Sequence, residues 1–305
     1  MRILVTGGAG FVGSHTADAY LAAGHEVHII DNLSTGRRTH APVDAVLHET
    51  DIHAVEAERV FRDVRPDIVN HHAAQASVKV SSGDPVRDLE INVGGTARIA
   101  RLCAEHDVGK LIYASSGGTV YGDPTWLPVS EQHPCVPMSP YGLSKYSGEL
   151  YVELFSRTHG LDFTIFRYGN AFGPRQDPYG EAGVVAIFAA NMLAHRPCTI
   201  DGDGEQRKDY LYVSDVARAN VLALDHGSRQ IYNIGTGHGT SVNEIFQALQ
   251  DATGDGTPPV YGPPRPGDVR NFWLDCSRAR QDLGWKPEVT FEEGARRTVS
   301  SLRLR

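Results

Sequence analysis

The first thirteen residues of this 305-residue chain run from a short apolar stretch, Ile3-Leu4-Val5, into glycines spaced G-x-x-G-x-x-G at Gly7, Gly10 and Gly13. A buried strand that enters a helix through such a turn lets backbone N–H groups and the positive helix end approach a pyrophosphate, which a side chain would block. Because any tight strand-to-helix turn needs glycine, the triplet alone is weak evidence. The next strand decides in favour of a dinucleotide-binding turn.

This second predicted strand covers residues 26–30. It ends in Asp31-Asn32, at the spacing where a carboxylate accepts hydrogen bonds from an adenosine ribose. Asp31 would repel a 2′-phosphate, which favours NAD over NADP. Arg37 and Arg38 lie close by and could attract such a phosphate, but we interpret them as solvated loop charges.

Apolar runs alternate with amphipathic stretches through the first half of the chain. Strands are predicted at 2–5, 26–30, 45–48, 67–70, 110–114 and 162–166, with helices near 11–23, 54–63, 86–106 and 141–159. This rhythm predicts an α/β fold, a Rossmann-type doubly wound parallel sheet with a smaller C-terminal α/β substrate-binding lobe. We expect residues 1–168 and about 210–234 in the NAD-binding domain, and 169–209 with 235–305 in the substrate-binding lobe.

Composition excludes several classes of function. The 29 basic and 37 acidic residues leave a net charge of −8 without a Lys/Arg run, so we expect no nucleic-acid partner. Residues 2–5 already form the first strand, and no stretch approaches the ~20 apolar residues of a membrane helix, so we expect a cytoplasmic protein. Four dispersed cysteines, and a His71-His72 pair whose side chains point to opposite strand faces, predict no metal site.

Tyr141 and Lys145 lie four residues apart at the start of a predicted helix and share one face. A free phenol has a pKa near ~10, and a nearby ammonium should lower that pKa, so the pair could deprotonate an alcohol. In an arbitrary helix a structural tyrosine beside a solvated lysine would be the commoner arrangement. Downstream of a dinucleotide-binding turn, we interpret the pair as catalytic.

Several motifs in order carry a family resemblance. The glycine turn, His72-Ala-Ala-Gln-Ala, Asn92-Val-Gly-Gly, Ser115-Ser-Gly-Gly-Thr-Val-Tyr-Gly122 and Tyr141-x-x-x-Lys145 together resemble the extended short-chain dehydrogenase/reductase family, and within it the NAD-dependent epimerases, most of all the UDP-glucose (UDP-galactose) 4-epimerases. The likeness spans essentially the whole chain. It implies NAD as cofactor, a UDP-sugar substrate and 4-epimerisation of a UDP-hexose through a transient 4-keto intermediate.

The resemblance also implies roles for individual residues. Tyr141 would be the catalytic base, Lys145 would bind the nicotinamide ribose, and Ser116 would hydrogen-bond the reacting oxygen. The implied cofactor site comprises Gly7, Gly10, Phe11, Val12 and Gly13 at the pyrophosphate, Asp31 and Asn32 at the ribose, Asp51 and Ile52 at the adenine, and Ala73, Ala74, Gln75, Asn92, Ser115, Tyr141, Lys145 and Tyr168 elsewhere.

The implied substrate site lies mostly in the second half. It comprises Ser116, Gly117, Tyr141 and Asn170 near the reacting end, Val184, Val185 and Phe188 at the uracil, Arg207, Lys208 and Arg265 at the diphosphate, Asp268 at the nucleoside ribose, and Phe272 beside the hexose. Whether Arg207 or Lys208 contacts the diphosphate stays open. The ring of Phe272 leaves little room for an N-acetyl group, so plain hexoses are expected.

One departure from the family pattern affects catalysis. The usual catalytic Ser or Thr falls on Gly117, which has no hydroxyl. Ser116 would face the opposite side of a regular strand, but the two following glycines allow a bulge that redirects it. We therefore predict Ser116 as the catalytic hydroxyl, with Thr119 as the alternative; a Ser116 that only caps the strand end is the structural alternative.

Related reactions stay in competition with 4-epimerisation. Family dehydratases and decarboxylases carry acids where this chain has Gly118 and Thr119, which favours an epimerase. The alternatives are epimerisation of UDP-glucuronate, for which Arg175 leaves room, or of a CDP- or GDP-sugar, reduction of a 4-keto sugar nucleotide, and a non-catalytic NAD-binding regulator. Consumption of external NAD(P)H would separate a reductase from an epimerase.

The resemblance implies a homodimer that packs two helices per subunit, here near 86–106 and 141–158. Leu143, Leu150, Leu154 and Phe155 fit such an interface. They fit packing on the sheet equally well.

Overall fold

The computed structural model describes residues 1–179, 183–265, 267 and 269–304, and a parallel sheet organises them. The strands are β1 (Arg2–Thr6), β2 (Glu26–Asp31), β3 (Val46–Glu49), β4 (Ile68–His71), β5 (Lys110–Ser116), β6 (Asp162–Tyr168), β7 (Asn170–Phe172), β8 (Thr199–Asp201), β9 (Arg207–Lys208), β10 (Tyr210–Tyr212), β11 (Gln230–Ile234), β12 (Thr240–Ser241), β13 (Val260–Gly262) and β14 (Asn271–Phe272).

The main sheet has the order β11-β6-β5-β4-β1-β2-β3, and each neighbouring pair is parallel. The predicted Rossmann-type doubly wound sheet is confirmed. The direction of winding reverses between β1 and β4, and at such a switch point the carboxyl ends of the strands leave a crevice for a ligand.

Helices cover both faces of this sheet. They are α1 (Phe11–Ala22), α2 (Val55–Val64), α3 (Val78–Gly83), α4 (Pro85–Leu89), α5 (Gly95–Glu105), α6 (Gly117–Val120), α7 (Pro140–His159), α8 (Val184–Leu193), α9 (Val213–Leu222), α10 (Val242–Thr253), α11 (Ser277–Leu283) and α12 (Phe291–Arg303), with a 3₁₀ turn at Arg38–His40 and a π-helical turn at Glu90–Gly94. In the described part of the chain, no helix is long and apolar enough to cross a membrane.

Alternate residues of each central strand enter different cores. In β1, Ile3 and Val5 pack with the buried residues of α1 and α9, whereas Leu4 packs with those of α2, α5 and α7. Strands buried on both faces read as continuous apolar runs, which is why residues 2–5 contain no polar alternation.

The predicted helix near 86–106 is confirmed, since the backbone stays helical without interruption from Pro85 to Glu105. It consists of α4, the π-helical turn and α5. Within the π-helical turn, the Asn92 side chain binds both backbone groups of Gln75. At Gly95, a Cβ would lie 2.6 Å from Ile52 Cδ1, so only glycine lets this helix approach the residue predicted at the adenine. A π-helical turn adds a residue to the helix and is frequent at functional sites.

The second half of the chain contributes to both a separate core and the main sheet. Apolar residues of α8, α10 and α12 form a third cluster, while β11 joins the sheet and Phe272, Leu274 and Trp285 pack in the sheet's own core. Asp209, fully buried, accepts hydrogen bonds from the backbone N–H groups of Thr236, Gly237 and Leu274. The proposed division into two domains stays a prediction.

Candidate active site

The glycine turn at the end of β1 is packed too closely for side chains. Gly7 has φ +69°, and a Cβ there would lie 2.6 Å from the backbone nitrogen of Ala73. A Cβ on Gly13 would lie 2.3 Å from the carbonyl oxygen of Gly7. Gly10 caps α1 without a side-chain hydrogen bond, so the first N–H groups of the helix, including those of Phe11 and Val12, point out of its end. This geometry fits a pyrophosphate.

The residues predicted at the adenosine end lie together at the ends of β2 and β3. The Asp31 carboxylate accepts from the backbone nitrogens of Ala9 (2.9 Å) and Leu33 (2.8 Å), which fixes it beside the glycine turn. The Asn32 amide donates to Asp51 at 2.6 Å. Ile52 is buried beside Gly95. An acidic rim therefore stands over an apolar floor, as an adenosine requires.

Ala73, Ala74 and Gln75 follow β4, and the backbone of Ala73 faces the glycine turn. The Gln75 side chain turns away and donates to Asp88 Oδ1 (2.7 Å) and to the carbonyl of Ser77 (2.9 Å). The Asn92 amide also donates to Asp88, at 3.1 Å. Asn92 and Gln75 thus position the loop after β4 with their side chains. Asp88 belongs to the same hydrogen-bond network, and the sequence had not indicated it.

The catalytic pair stands at the N-terminal end of α7. Ser139 caps this helix and Pro140 occupies its first turn. A Cβ on Gly142 would lie 2.6 Å from the Thr119 carbonyl oxygen, so glycine there lets Tyr141 approach the end of β5. The backbone nitrogen of Tyr141 donates to Ser81 of α3 at 3.1 Å, a contact that no sequence signal indicated.

Burial and the neighbouring Ser116 hydroxyl act in opposite directions on the pKa of Tyr141. Burial is the larger effect and raises this pKa to about 12. The prediction that Lys145 would lower the pKa of the phenol is wrong for the protein alone, because burial outweighs every favourable contact. Burial also lowers the pKa of Lys145 to about 8, and its Nζ donates to the Ala114 carbonyl at 2.8 Å.

Two neutral imidazoles lie beneath this pair. Burial lowers the pKa of His71 well below its ordinary value and that of His72 to about 3, with the Lys145 charge acting in the same direction. The His72 ring stacks on Tyr168, with ring centroids 6.5 Å apart, and the Tyr168 hydroxyl is bound to Asn220. His71 and His72 therefore add no positive charge beside Lys145.

Behind the catalytic pair, a buried ion pair joins α7 to β6. Glu149 and Arg167 approach to 2.6 Å, and Ser115 donates to Glu149 at 2.5 Å. Arg167 also donates to the Tyr121 hydroxyl at 2.9 Å. The Ser115 hydroxyl, predicted at the cofactor, is thus directed to Glu149. Glu149 lies four residues after Lys145, a spacing from which it could have been found.

The cations predicted at the diphosphate are paired with carboxylates. Arg265 lies 2.5 Å from Asp201, and Arg207 lies 3.0 Å from Glu244. Lys208 points to the other side of β9, where its Nζ contacts the carbonyl of Val269. Arg207 and Lys208 therefore point to opposite sides of β9, and Arg207 pairs with Glu244 of α10.

A cavity of about 540 Å³ opens beside Arg265. Its polar lining alternates in charge, with Arg265 and Arg270 facing Asp201 and Asp203. Arg270 and Asp203 lie 2.8 Å apart. A polar ligand in this cavity could replace the carboxylates as partner of the arginines.

The remaining predicted substrate residues differ in exposure. Asn170 is exposed at the start of β7, next to Gly118. Val185 and Phe188 are buried in the third cluster, where Phe188 contacts Phe246, and Val184 is partly buried. Phe272 is buried against Tyr121, with ring centroids 6.4 Å apart. Asp268 lies outside the described residues. Arg175 pairs with Asp18 of α1 at 2.6 Å.

Known proteins match this chain in sequence and in fold. The family model described as NAD dependent epimerase/dehydratase family matches residues 3–235. The chain belongs to this family. NAD is therefore its cofactor, as predicted from Asp31, and the family resemblance seen in the motifs is confirmed.

Members of the epimerase/dehydratase family with solved structures superpose closely. The UDP-glucose 4-epimerase of Thermotoga maritima, solved with UDP-glucose, is 47% identical with a TM-score of 0.97, and the match covers 100% of this chain and 99% of that one. The UDP-glucose 4-epimerase of Thermus thermophilus, solved with NAD, is 45% identical with a TM-score of 0.94 and 99% of both chains covered.

A curated relative agrees with these structures. The UDP-glucose 4-epimerase of Mycolicibacterium smegmatis is 43% identical, and the match covers 99% of this chain and 99% of the relative. Within the ranges that the structure describes, no group of three or more His, Cys, Asp or Glu side chains could hold a metal ion.

Proposed function

We propose that this protein interconverts UDP-glucose and UDP-galactose by NAD-dependent 4-epimerisation through a transient 4-keto intermediate. One observation carries the proposal: Tyr141 and Lys145 stand in the first turns of α7, and Lys145 donates to the carbonyl of Ala114 in β5, the strand that ends at Ser116. The positions that carry acids in family dehydratases hold Gly118 and Thr119, so no proton need move at C5. The relatives from Thermotoga, Thermus and Mycolicibacterium support the choice of a UDP-hexose.

The residues around the glycine turn fit NAD. Gly7, Gly10 and Gly13 leave the room that a pyrophosphate needs, and Asp31 disfavours a 2′-phosphate. NAD, when bound, supplies the oxidant for the sugar carbon and a positive charge on its nicotinamide ring. We assign the adenine to the apolar floor formed by Ile52.

The chain's own part in the reaction is to hold the sugar and move one proton. Ser116 donates to the reacting oxygen at C4 and keeps it beside Tyr141. The Tyr141 phenolate takes the proton of the C4 hydroxyl and returns it after the keto sugar has turned over, so that no proton is gained or lost in the cycle. Lys145 stabilises the phenolate by its charge, and Asp88 and Glu149 help to keep Lys145 protonated against the effect of its burial.

Substrate affinity comes from the second half of the chain. We propose that Arg265 and Lys208 hold the diphosphate, since Glu244 already neutralises Arg207. A guanidinium binds a phosphate in two-pronged geometry, and Arg265 is exposed and can leave Asp201 for it. Asn170 contacts the reacting end, Phe272 limits the size of the hexose, and Asp268 stays the predicted ribose contact.

We further propose that the enzyme is a homodimer built on α7. Leu143, Leu150 and Leu154 are 57%, 46% and 42% exposed at spacings that share one helix face. Val86 and Leu89 of the adjacent α4 extend the patch. Sedimentation of the wild type as a dimer, and of Leu150→Asp as a monomer, would test this; a wild-type monomer at micromolar concentration would contradict it.

The direct test is to incubate the purified protein with UDP-galactose and catalytic NAD and to separate the sugar nucleotides. We expect UDP-glucose to appear until a fixed equilibrium is reached, without net formation of NADH. The Tyr141→Phe variant under the same conditions is the control for chemistry at the site. A folded, NAD-bound wild type that converts nothing would overturn the proposal.

A further inference from the structure

The two glycines after Ser116 are not equivalent. A Cβ on Gly117 would lie 3.0 and 3.1 Å from the two methyl carbons of Leu274 and 3.2 Å from the carbonyl oxygen of Arg167. A Cβ on Gly118 would have its nearest neighbour, Asn170 Oδ1, at 3.7 Å. Position 118 therefore accepts a methyl group in ordinary contact, whereas at position 117 a neighbour must move.

Leu274 is held in place and cannot easily make room. Its side chain is fully buried, and its backbone nitrogen donates to Asp209 at 3.2 Å. On both sides of it the backbone pairs with Val129, through the Trp273 carbonyl at 2.9 Å and the Asp275 nitrogen at 2.7 Å. Close-packed interiors resist even one added methyl group, so the space beside position 117 belongs to Leu274.

The hydroxyl groups around this space have different partners. Ser115 donates to Glu149, and Thr119 donates to the Ser116 carbonyl at 3.5 Å. Ser116 is the one of the three whose hydroxyl acts on Tyr141, where it lowers the pKa of the phenol. A side chain at position 117 would project toward Leu274. Position 117 is also where the family usually carries its catalytic hydroxyl.

We propose that Leu274 determines which residue carries the catalytic hydroxyl. By filling the space beside position 117 it requires glycine there, and the hydroxyl that serves C4 comes from Ser116 instead. Leu274 is thus a positioning residue, which acts through the residues at 116 and 117. This inference rests on the proposed function for its catalytic part, whereas its steric part concerns the protein alone.

The catalytic part is tested by moving the hydroxyl. In the Ser116→Ala variant we expect kcat to fall by about 100-fold or more, as after removal of one donor to a reacting oxygen. Adding Gly117→Ser to this variant should not raise kcat while Leu274 is present. With Leu274→Ala as well, the triple variant should recover at least ~10-fold over Ser116→Ala/Leu274→Ala, because a serine at 117 then has room.

Two results would overturn the catalytic part. One is recovery by Gly117→Ser that does not depend on Leu274. The other is a triple variant that folds and binds NAD but recovers no activity. All variants are assayed well below their melting temperatures, since Leu274→Ala leaves a cavity of its own.

The steric part has a readout independent of activity. We expect Gly117→Ala to lower Tm by at least ~2 °C more than the matched control Gly118→Ala, and this gap should close in the Leu274→Ala background. Equal Tm values for the two alanine variants, or a gap that persists without Leu274, would overturn the inference. A wild type without epimerase activity would instead defeat the proposed function and leave this comparison intact.

Discussion

The proposed cofactor side and the proposed substrate side of the active site are held together by different interactions. On the cofactor side, backbone meets backbone: Gly7 and Gly13 allow contacts that no side chain permits, and Asp31 is fixed by two N–H donors. On the substrate side, exposed cations such as Arg265 and Arg207 are paired with carboxylates. The cofactor side is therefore preformed, whereas on the substrate side ligand and protein must exchange partners.

The two kinds of contact also differ in how much free energy it costs to break them. An exposed ion pair contributes about 0–1 kcal/mol, so a diphosphate can displace Asp201 from Arg265 at small cost. A backbone contact inside the glycine turn has no alternative partner and little freedom to relax. We expect substitutions in the glycine turn to weaken NAD binding strongly, and substitutions in the exposed ion pairs to change the affinity for the UDP-sugar more gradually.

The largest effect should come from the chemistry between the two sides. Tyr141→Phe removes the group that moves the proton and should lower kcat by about 10²–10⁴-fold, while NAD binding is retained. The rate of UDP-galactose conversion measures kcat, and the NAD content of the purified protein measures cofactor binding. Tyr146→Phe, just over one helical turn further on and half-buried, is the matched control and should keep its rate; an equal loss there would indicate damage to α7 instead.

Lys145 should make stability depend on pH in a defined window. Its pKa is lowered from 10.5 to about 8, so between these values the unfolded chain binds a proton that the folded protein lacks. The free energy of unfolding of the wild type, relative to Lys145→Met, should therefore rise with pH across this window by up to ~3 kcal/mol. Urea unfolding of both proteins across that window measures it; a constant difference would contradict it.

Gly13→Ala should show how rigid the cofactor side is. Because the new Cβ would lie 2.3 Å from a carbonyl oxygen, overpacking of ~1–3 kcal/mol should weaken NAD binding by about 10- to 100-fold. Titration of the variant with NADH, followed by fluorescence, gives the affinity. Gly83→Ala is the control, since nothing lies within 4 Å of a Cβ there. Unchanged affinity for Gly13→Ala would argue against a pyrophosphate at this turn.

Arg265→Ala should produce a graded loss on the substrate side. A charged hydrogen bond contributes ~1.5–3 kcal/mol, so KM for the UDP-sugar should rise at least ~10-fold with kcat little changed. Steady-state kinetics separates the two constants. Arg270→Ala, whose cation pairs with Asp203 beside the same cavity, tests whether the effect belongs to Arg265.

The smallest effect should have the opposite sign. Asp201→Asn removes the carboxylate that competes for Arg265, and KM should fall by a few-fold, within the ~0–1 kcal/mol of an exposed pair. A raised KM would mean that Asp201 positions the guanidinium instead of competing with the substrate. Such a result would also weaken the contrast between the two sides.

Sequence was most informative where one type of residue alone fits. The glycine turn, the strand runs and Tyr141 with Lys145 could be predicted because their constraints are local along the chain. The π-helical turn at 90–94, the contact of position 117 with Leu274 and the raised pKa of Tyr141 depend on residues far apart in sequence. Glu149 could have been found from its spacing to Lys145, whereas Asp88 and Ser81 carry no such signal.

The buried carboxylate of Asp209 joins segments that belong to both halves of the chain. It lies between β9 and β10 and binds the backbone just after β11 and just after β14. A single residue therefore ties the segments after β11 and β14 to each other beside the main sheet. If Asp209 is the fixed point, substitutions elsewhere in these segments should leave their position relative to the sheet unchanged, whereas loss of its carboxylate should release both segments at once.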